Sequence, residues 1–196
     1  MRRSQPDGGR APSLSPSQTI GPFFHDVVEL TGSNDTTDGA AGGQRIRLEG
    51  RVLDGAGDFV DDALVEIWQP EAAGIDQAEG GNARHSGAAG FARSETANEG
   101  RFSFQAIKPP MAEDGAAPFV LVRIFGRGLL RSLVTRIYFE DHAHAEDPVL
   151  LSIDPKRRGT LIAELDDSTT PPTYRFDIHL QGDRETVFFD LRQPQP

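Results

Sequence analysis

An all-β fold, an antiparallel β-sandwich with long loops and an N-terminal arm, is what this sequence predicts, and three observations predict it. Apolar residues recur with period 2 in short runs, the mark of strands with one buried face. The chain has 21 Gly and 14 Pro among 196 residues, many of them between those runs, which suits frequent tight turns. No convincing stretch of period 3.6 competes with this pattern, apart from a short helix expected after Pro155.

The elements follow in order. Residues 1–17 (MRRSQPDGGRAPSLSPS) are polar with repeated Pro and Gly and read as a flexible N-terminal arm; residues 18–196 read as a single domain. Thr19 to Leu30 carry Ile20, Phe23, Phe24, Val27, Val28 and Leu30, apolar enough to be tied down against the core or a neighbour. A Gly-rich polar loop, Gly32 to Gly43, precedes the first strand, where Ile46, Leu48, Gly50 and Val52 alternate with Arg47, Glu49 and Arg51. After a turn at Asp54 to Gly57, Ala63, Val65 and Ile67 alternate with Leu64, Glu66 and Trp68. Trp68, the only Trp, is expected in the core.

Phe102, Phe104 and Ala106 form another buried face, stopped by Pro109-Pro110. Phe119 to Phe125 is nearly all apolar, as a central strand would be; Leu133, Thr135, Ile137 and Phe139 alternate again, as do Phe176, Ile178 and Leu180. Val187 to Leu191 is read as the last strand.

Composition narrows the function. A net charge of −10 argues against nucleic acid, whose phosphates need a basic surface. With no Cys, disulfides and thiolate metal sites are excluded. No run of about 18 apolar residues predicts a membrane helix, and no signal-peptide pattern opens the chain, so the expectation is a cytoplasmic protein.

Several segments in order resemble the intradiol ring-cleavage dioxygenases, and among them the α-type chains of the two-chain members. They are Ser17 to Phe23 (SQTIGPF), Gly50 to Gly55 (GRVLDG), Leu64 to Gln69 (LVEIWQ), Ala117-Pro118, Arg127-Gly128, Thr135 to Phe139 (TRIYF), Arg157 to Ala163 (RRGTLIA), and the tail from Tyr174 to Gly182 and Glu185 to Asp190. The resemblance runs from about Ser17 to Leu191. It implies a β-sandwich of prealbumin-like type and a non-haem Fe(III) site made of two Tyr and two His. It also implies intradiol cleavage of an aromatic diol, 3,4-dihydroxybenzoate, by O2. In the two-chain members the iron belongs to a β-type chain.

Carried over residue by residue, the resemblance places none of those ligands here. Asp76 stands where one Tyr is expected, Phe119 and Leu121 stand where the His-x-His pair is expected, and Lys108 to Ala117 contains no Tyr. The implied cofactor is therefore Fe(III) bound by a partner β chain, in a hetero-oligomer, with no catalytic or metal-ligating residue in this chain. The space around Phe119 and Leu121 is expected to be dry and apolar. The resemblance also makes Thr19, Gly21, Pro22 and Arg127 substrate-binding candidates. A cation beside the pocket favours an anionic catechol, a Thr hydroxyl offers a hydrogen bond, and Gly-Pro suits close backbone approach. Arg136 reads as a structural ion-pair residue.

Two other readings compete. The chain could be a non-catalytic prealbumin-like binding module with no dioxygenase partner. Or it could hold iron through Tyr138, His142 and His144, although the two His sit in an acidic segment that reads as a surface loop. His25, His85 and His179 are isolated and read as structural or exposed.

Overall fold

A computed structural model describes residues 16–21, 33–37, 42–69, 90–111, 116–142 and 147–190. Its strands are β1 (Arg45–Leu53), β2 (Ala63–Trp68), β3 (Phe91–Glu95), β4 (Arg101–Ile107), β5 (Phe119–Gly126), β6 (Leu133–Phe139), β7 (Ile162–Asp166), β8 (Thr173–Arg175) and β9 (Ile178–His179). Among the described residues one short helix, α1 (Pro148–Ser152), and a 3-10 turn, Arg158–Leu161, interrupt them. No helix among the described residues is long and apolar enough to cross a membrane.

The strands join in the order β3-β2-β5-β6-β7-β8-β1-β4, with β9 beside β1. Alternation explains the packing. Ile46, Leu48 and Val52 of β1 turn inward with Phe102, Phe104 and Ala106 of β4. They meet Val65 and Ile67 of β2 and Val120, Val122 and Ile124 of β5 in one continuous core. The two ends of the sheet therefore face each other, as in a sandwich. Each Val, Leu, Ile or Phe among them contributes roughly 1.5–3 kcal/mol of burial.

The pairing is mixed rather than wholly antiparallel. β1 runs parallel to β8 and β9, and β6 runs parallel to β7. β3 and β7 were not legible as strands. In β3 only Ala92 is fully buried, and β7 places Ala163 alone in the core, so neither run alternates visibly.

Three further expectations need correction. Trp68 is 44 % exposed, because Ala63, Val65 and Ile67 occupy the inner parity of β2. Its ring leans on Phe91, with centroids 4.7 Å apart. Val187 to Asp190 form no strand, and Leu191 lies outside the described residues. That tail contacts the edge of β6 through the Phe189 N–H to Val134 O (2.8 Å) and the Thr135 hydroxyl to Val187 O (2.8 Å). One backbone bond and one side-chain bond make no ladder. The helix after Pro155 is only the 3-10 turn, while α1 forms earlier, where buried Asp147 caps the N–H groups of Val149 and Leu150.

Residues 33–37 occupy the seam between the two end strands. Ser33 O accepts from the Arg93 N–H of β3 (2.8 Å). On the β4 side, Asn34 O accepts from the Gln105 N–H (3.0 Å) and the Thr36 N–H donates to Gln105 O (2.9 Å). The buried Thr36 hydroxyl donates to Gln69 Oε1 (3.0 Å), tying this plug to the end of β2.

A buried cation joins the ends of β4, β6 and β8. The Lys108 Nζ donates to Asp141 Oδ2 (2.5 Å) and to the Tyr174 hydroxyl (2.8 Å), which donates in turn to Asp141 Oδ1 (3.0 Å). The ammonium also lies over the Tyr174 and Phe139 rings, 5.1 and 5.4 Å from their centroids.

Candidate functional site

Thr19 and Arg127, far apart in sequence, meet at one end of β5. Strand β5 ends in Gly126, and the Leu129 N–H donates back to Gly126 O (3.1 Å) to form a turn. Gly128 takes φ +90 there, a conformation that favours glycine. The Thr19 hydroxyl bridges this turn, accepting the Gly128 N–H (2.8 Å) and donating to Gly126 O (3.3 Å). The N-terminal segment is thereby pinned beside Arg127.

Arg127 reaches out from the turn with its side chain 70 % exposed, and its Nη2 lies 2.9 Å from Asp62 Oδ2. Asp62 is a member of this group that sequence reasoning missed. Its only signal was its place just before β2, and the register that pairs Ala63 with Gly126 explains the meeting. Gly21 is exposed, and a Cβ added there would meet nothing within 4 Å in this chain. Pro22 lies outside the described residues.

Phe119 and Leu121 sit at the other end of β5, on its outward face, cross-strand from Tyr138 and Arg136. The expectation of a dry, apolar space fits one side of Phe119, which packs against the cluster of Ala117, Tyr138, Leu150 and Leu161, and is corrected on the other side. Both side chains are half-buried, and the Arg136 guanidinium lies 4.0 Å from the Phe119 ring centroid and 5.9 Å from that of Phe189. Arg136 is thus a ring-stacking cation at this position, besides donating to the Tyr138 hydroxyl (3.2 Å). A ferric ion does not fit: neither Phe119 nor Leu121 has a donor atom, and a fixed cation beside them opposes a second one.

Of the rival iron set, Tyr138 and His142 are among the described residues. Tyr138 is fully buried and its hydroxyl donates to Asp147 Oδ1 (3.2 Å). Burial, only partly offset by Arg136, pushes its hydroxyl up to about 12. Tyr174 is likewise raised by burial, against the pull of Lys108. The His142 N–H donates to Phe139 O (3.1 Å), whereas His144, Asp76, His25 and His85 lie outside the described residues. Burial and then the charge of Arg184 lower His179. Among the described residues no three His, Asp or Glu side chains converge as a metal site.

The two tyrosines give a test at high pH. Because the folded value of Tyr138 lies above the ordinary 10.0, the stability it contributes is complete below pH 10 and is lost as pH rises towards about 12. Tyr138→Phe is expected to flatten the alkaline loss of stability. Ionisation of Tyr138 itself at pH 10 in the folded chain would contradict this burial.

A polar groove of about 860 Å³ lies elsewhere, on the outer face of β1, β4 and β8, and holds none of the predicted site residues. Three of its arginines are already paired: Arg175 with Glu49 and Asp166, Arg51 and Arg101 with Glu99.

Fold and sequence agree on the class. A family model described as "Dioxygenase" (Dioxygenase_C) matches residues 20–182, and the chain belongs to this family of intradiol ring-cleavage dioxygenases. It is similar to the protocatechuate 3,4-dioxygenase alpha chain of Burkholderia cepacia, 38 % identical over 90 % of this chain and 97 % of that one. It is also similar to the protocatechuate 3,4-dioxygenase beta chain of the same organism, 34 % identical over 85 % of this chain and 75 % of that one. Among solved structures, an intradiol ring-cleavage dioxygenase from Tetranychus urticae shares the fold, with a TM-score of 0.60, 17 % identity, and coverage of 90 % of this chain and 100 % of that one.

Proposed function

We propose that this chain is the α, iron-free subunit of a protocatechuate 3,4-dioxygenase. It supports O2-dependent intradiol cleavage of 3,4-dihydroxybenzoate to 3-carboxy-cis,cis-muconate at Fe(III) held by a partner β chain. In this reading residues 18–196 are one domain, preceded by the arm at 1–17, and the hetero-oligomer is cytoplasmic.

The observation that carries the reading is a separation. Arg127 lies eight residues along from Phe119, where relatives of this family are expected to place their own ligands. At about 3.3 Å per residue the two are roughly 25 Å apart. A pocket bordered by Thr19, Gly21, Pro22 and Arg127 is therefore not this chain's own vestigial site. Thr19, Gly21 and Arg127 are exposed, where a second chain can complete the pocket. Similarity to both an alpha and a beta chain supports the same assignment.

The cleaved bond joins the two hydroxyl-bearing carbons, and both atoms of O2 enter the product as carboxylate oxygens. Ferric iron, when bound by the partner, supplies the electronic route by which O2 reacts with the diol. This chain's part is to bind and orient. Arg127 donates to the ring carboxylate, and Thr19 holds the turn from which Arg127 projects. Gly21 leaves room for the ring, and Pro22 stiffens the backbone beside it.

The test is iron content and O2 uptake with 3,4-dihydroxybenzoate, for the chain alone and co-expressed with its β chain. The chain alone is expected to be iron-free and inactive, and the complex iron-loaded and active. An iron-loaded, active single chain would overturn the proposal and point back to Tyr138, His142 and His144. Failure to form any complex would favour the binding-module reading. In the complex, Arg127→Gln is expected to raise KM for 3,4-dihydroxybenzoate about tenfold, the loss of one charge-assisted hydrogen bond.

A further inference from the structure

We infer that Asp62 is a positioning residue for the same pocket, its carboxylate fixing where Arg127 presents its guanidinium; this rests on the reading of Arg127 above. Arg127 is a long side chain on a turn, 70 % exposed, so little packing restrains it. Among the described residues its ion-pair partner is Asp62, 2.9 Å away.

Asp62 is well placed to impose a geometry because the backbone on both sides of it is fixed. Before it, the Asp61 carboxylate accepts the Gly100 N–H (2.7 Å). After it, the Ala63 N–H donates to Thr96 Oγ1 (2.9 Å) and the Thr96 N–H donates to Ala63 O (2.8 Å). Ala63 is also paired with Gly126, the residue before Arg127. The base of Arg127 is thus held by Thr19 through the turn, and its tip by Asp62.

The contact is made by one terminal nitrogen, Nη2; this nitrogen carries two N–H groups, and the one that Asp62 does not use can pair with a neighbouring guanidinium N–H to receive a carboxylate. The alternative role for Asp62 is a brake that neutralises the cation. At an exposed site, screening by water and salt keeps the Coulombic gain from removing such a brake small. Re-immobilising a freed arginine on each binding event costs more, because its rotamer freedom is large. Orientation therefore outweighs neutralisation, by about fivefold in affinity, which is about 1 kcal/mol at 25 °C.

The experiment uses the complex with the β chain and compares Asp62→Asn, Asp62→Glu and Arg127→Gln with the unmodified protein. Asp62→Asn is expected to raise KM for 3,4-dihydroxybenzoate about fivefold with kcat within about twofold, and Asp62→Glu to recover part of the loss. The inhibition constant of catechol, which lacks the carboxylate, is expected to stay unchanged. An unchanged or lowered KM in Asp62→Asn, or an equal loss towards catechol, would sink the positioning role. If Arg127→Gln itself leaves KM unchanged, the pocket reading fails; if only Asp62→Asn is silent, that reading stands and this inference alone falls.

Discussion

Gly50→Ala is expected to destabilise the chain by about 3–5 kcal/mol, a large share of the 5–15 kcal/mol typical of a domain. A Cβ at position 50 would lie 1.8 Å from the Phe176 carbonyl oxygen, 2.6 Å from its carbon and 2.9 Å from Phe102 Cζ. The first two are backbone atoms and cannot rotate away. Position 50 falls in the gap between the two parallel pairings of β1, with β8 on one side and β9 on the other. Phe176 is held in that gap by its N–H to Glu49 O (2.9 Å), and the Arg51 N–H donates to Asp177 Oδ1 (3.0 Å). Making room for a methyl group means breaking these bonds or prying β1 from the core. Chemical denaturation is the measurement, with the midpoint falling sharply at unchanged slope. A midpoint within about 1 kcal/mol of the unmodified chain would show that the crossing is looser than described.

Lys108→Ala is the other change expected to cost several kcal/mol, about 2–4. The Lys108 side chain is only 6 % exposed, so its removal leaves the Tyr174 hydroxyl oxygen without its donor, leaves Asp141 with the Tyr174 hydroxyl but no counter-charge, and opens space under two rings. Asp141 is 38 % exposed and can hydrate, which keeps the cost below that of a wholly buried pair. The effect also has a pH signature. Burial alone would raise Asp141, but Lys108 and Tyr174 outweigh it and hold the carboxyl below its ordinary 3.8. A depressed carboxyl contributes stability that is present above pH 3.8 and lost as pH falls through the folded value. Acid unfolding of the unmodified chain should be steeper there than that of Lys108→Ala. Identical acid limbs would mean that the ammonium is not the counter-charge.

Much of the fold was legible because strand burial is written locally. Ile46, Leu48 and Val52, or Val120, Val122 and Ile124, need only a period of 2 to declare their face. The same parity already put Trp68 opposite Ala63, Val65 and Ile67, and its bulk misled more than its position did. Which strand lies beside which was not legible. The parallel pairing of β1 with β8 joins distant segments, and no local pattern records it. The candidate site was half legible: resemblance identified Thr19 and Arg127, and the structure brings them within one hydrogen-bonded turn. Asp62 was hidden for the same reason as the parallel strands, since a surface carboxylate carries no sign of a partner across the sheet. Arg136 was read as an ion-pair residue because a sequence shows its charge and not the rings beneath it.

The plug at residues 33–37 bears on how this chain can join others. Open strand edges invite another backbone to add on, which is a common route to both peptide capture and fibrous aggregation. Here the end strands β3 and β4 offer hydrogen-bonding groups to one short segment of the same chain, which uses both at once. At Arg93 and Gln105 the backbone groups that such an addition would use are already taken. A neighbour docking over that seam meets the side chains of the plug instead, a mode of recognition in which a few substitutions can change the choice of partner while leaving the sheet itself untouched.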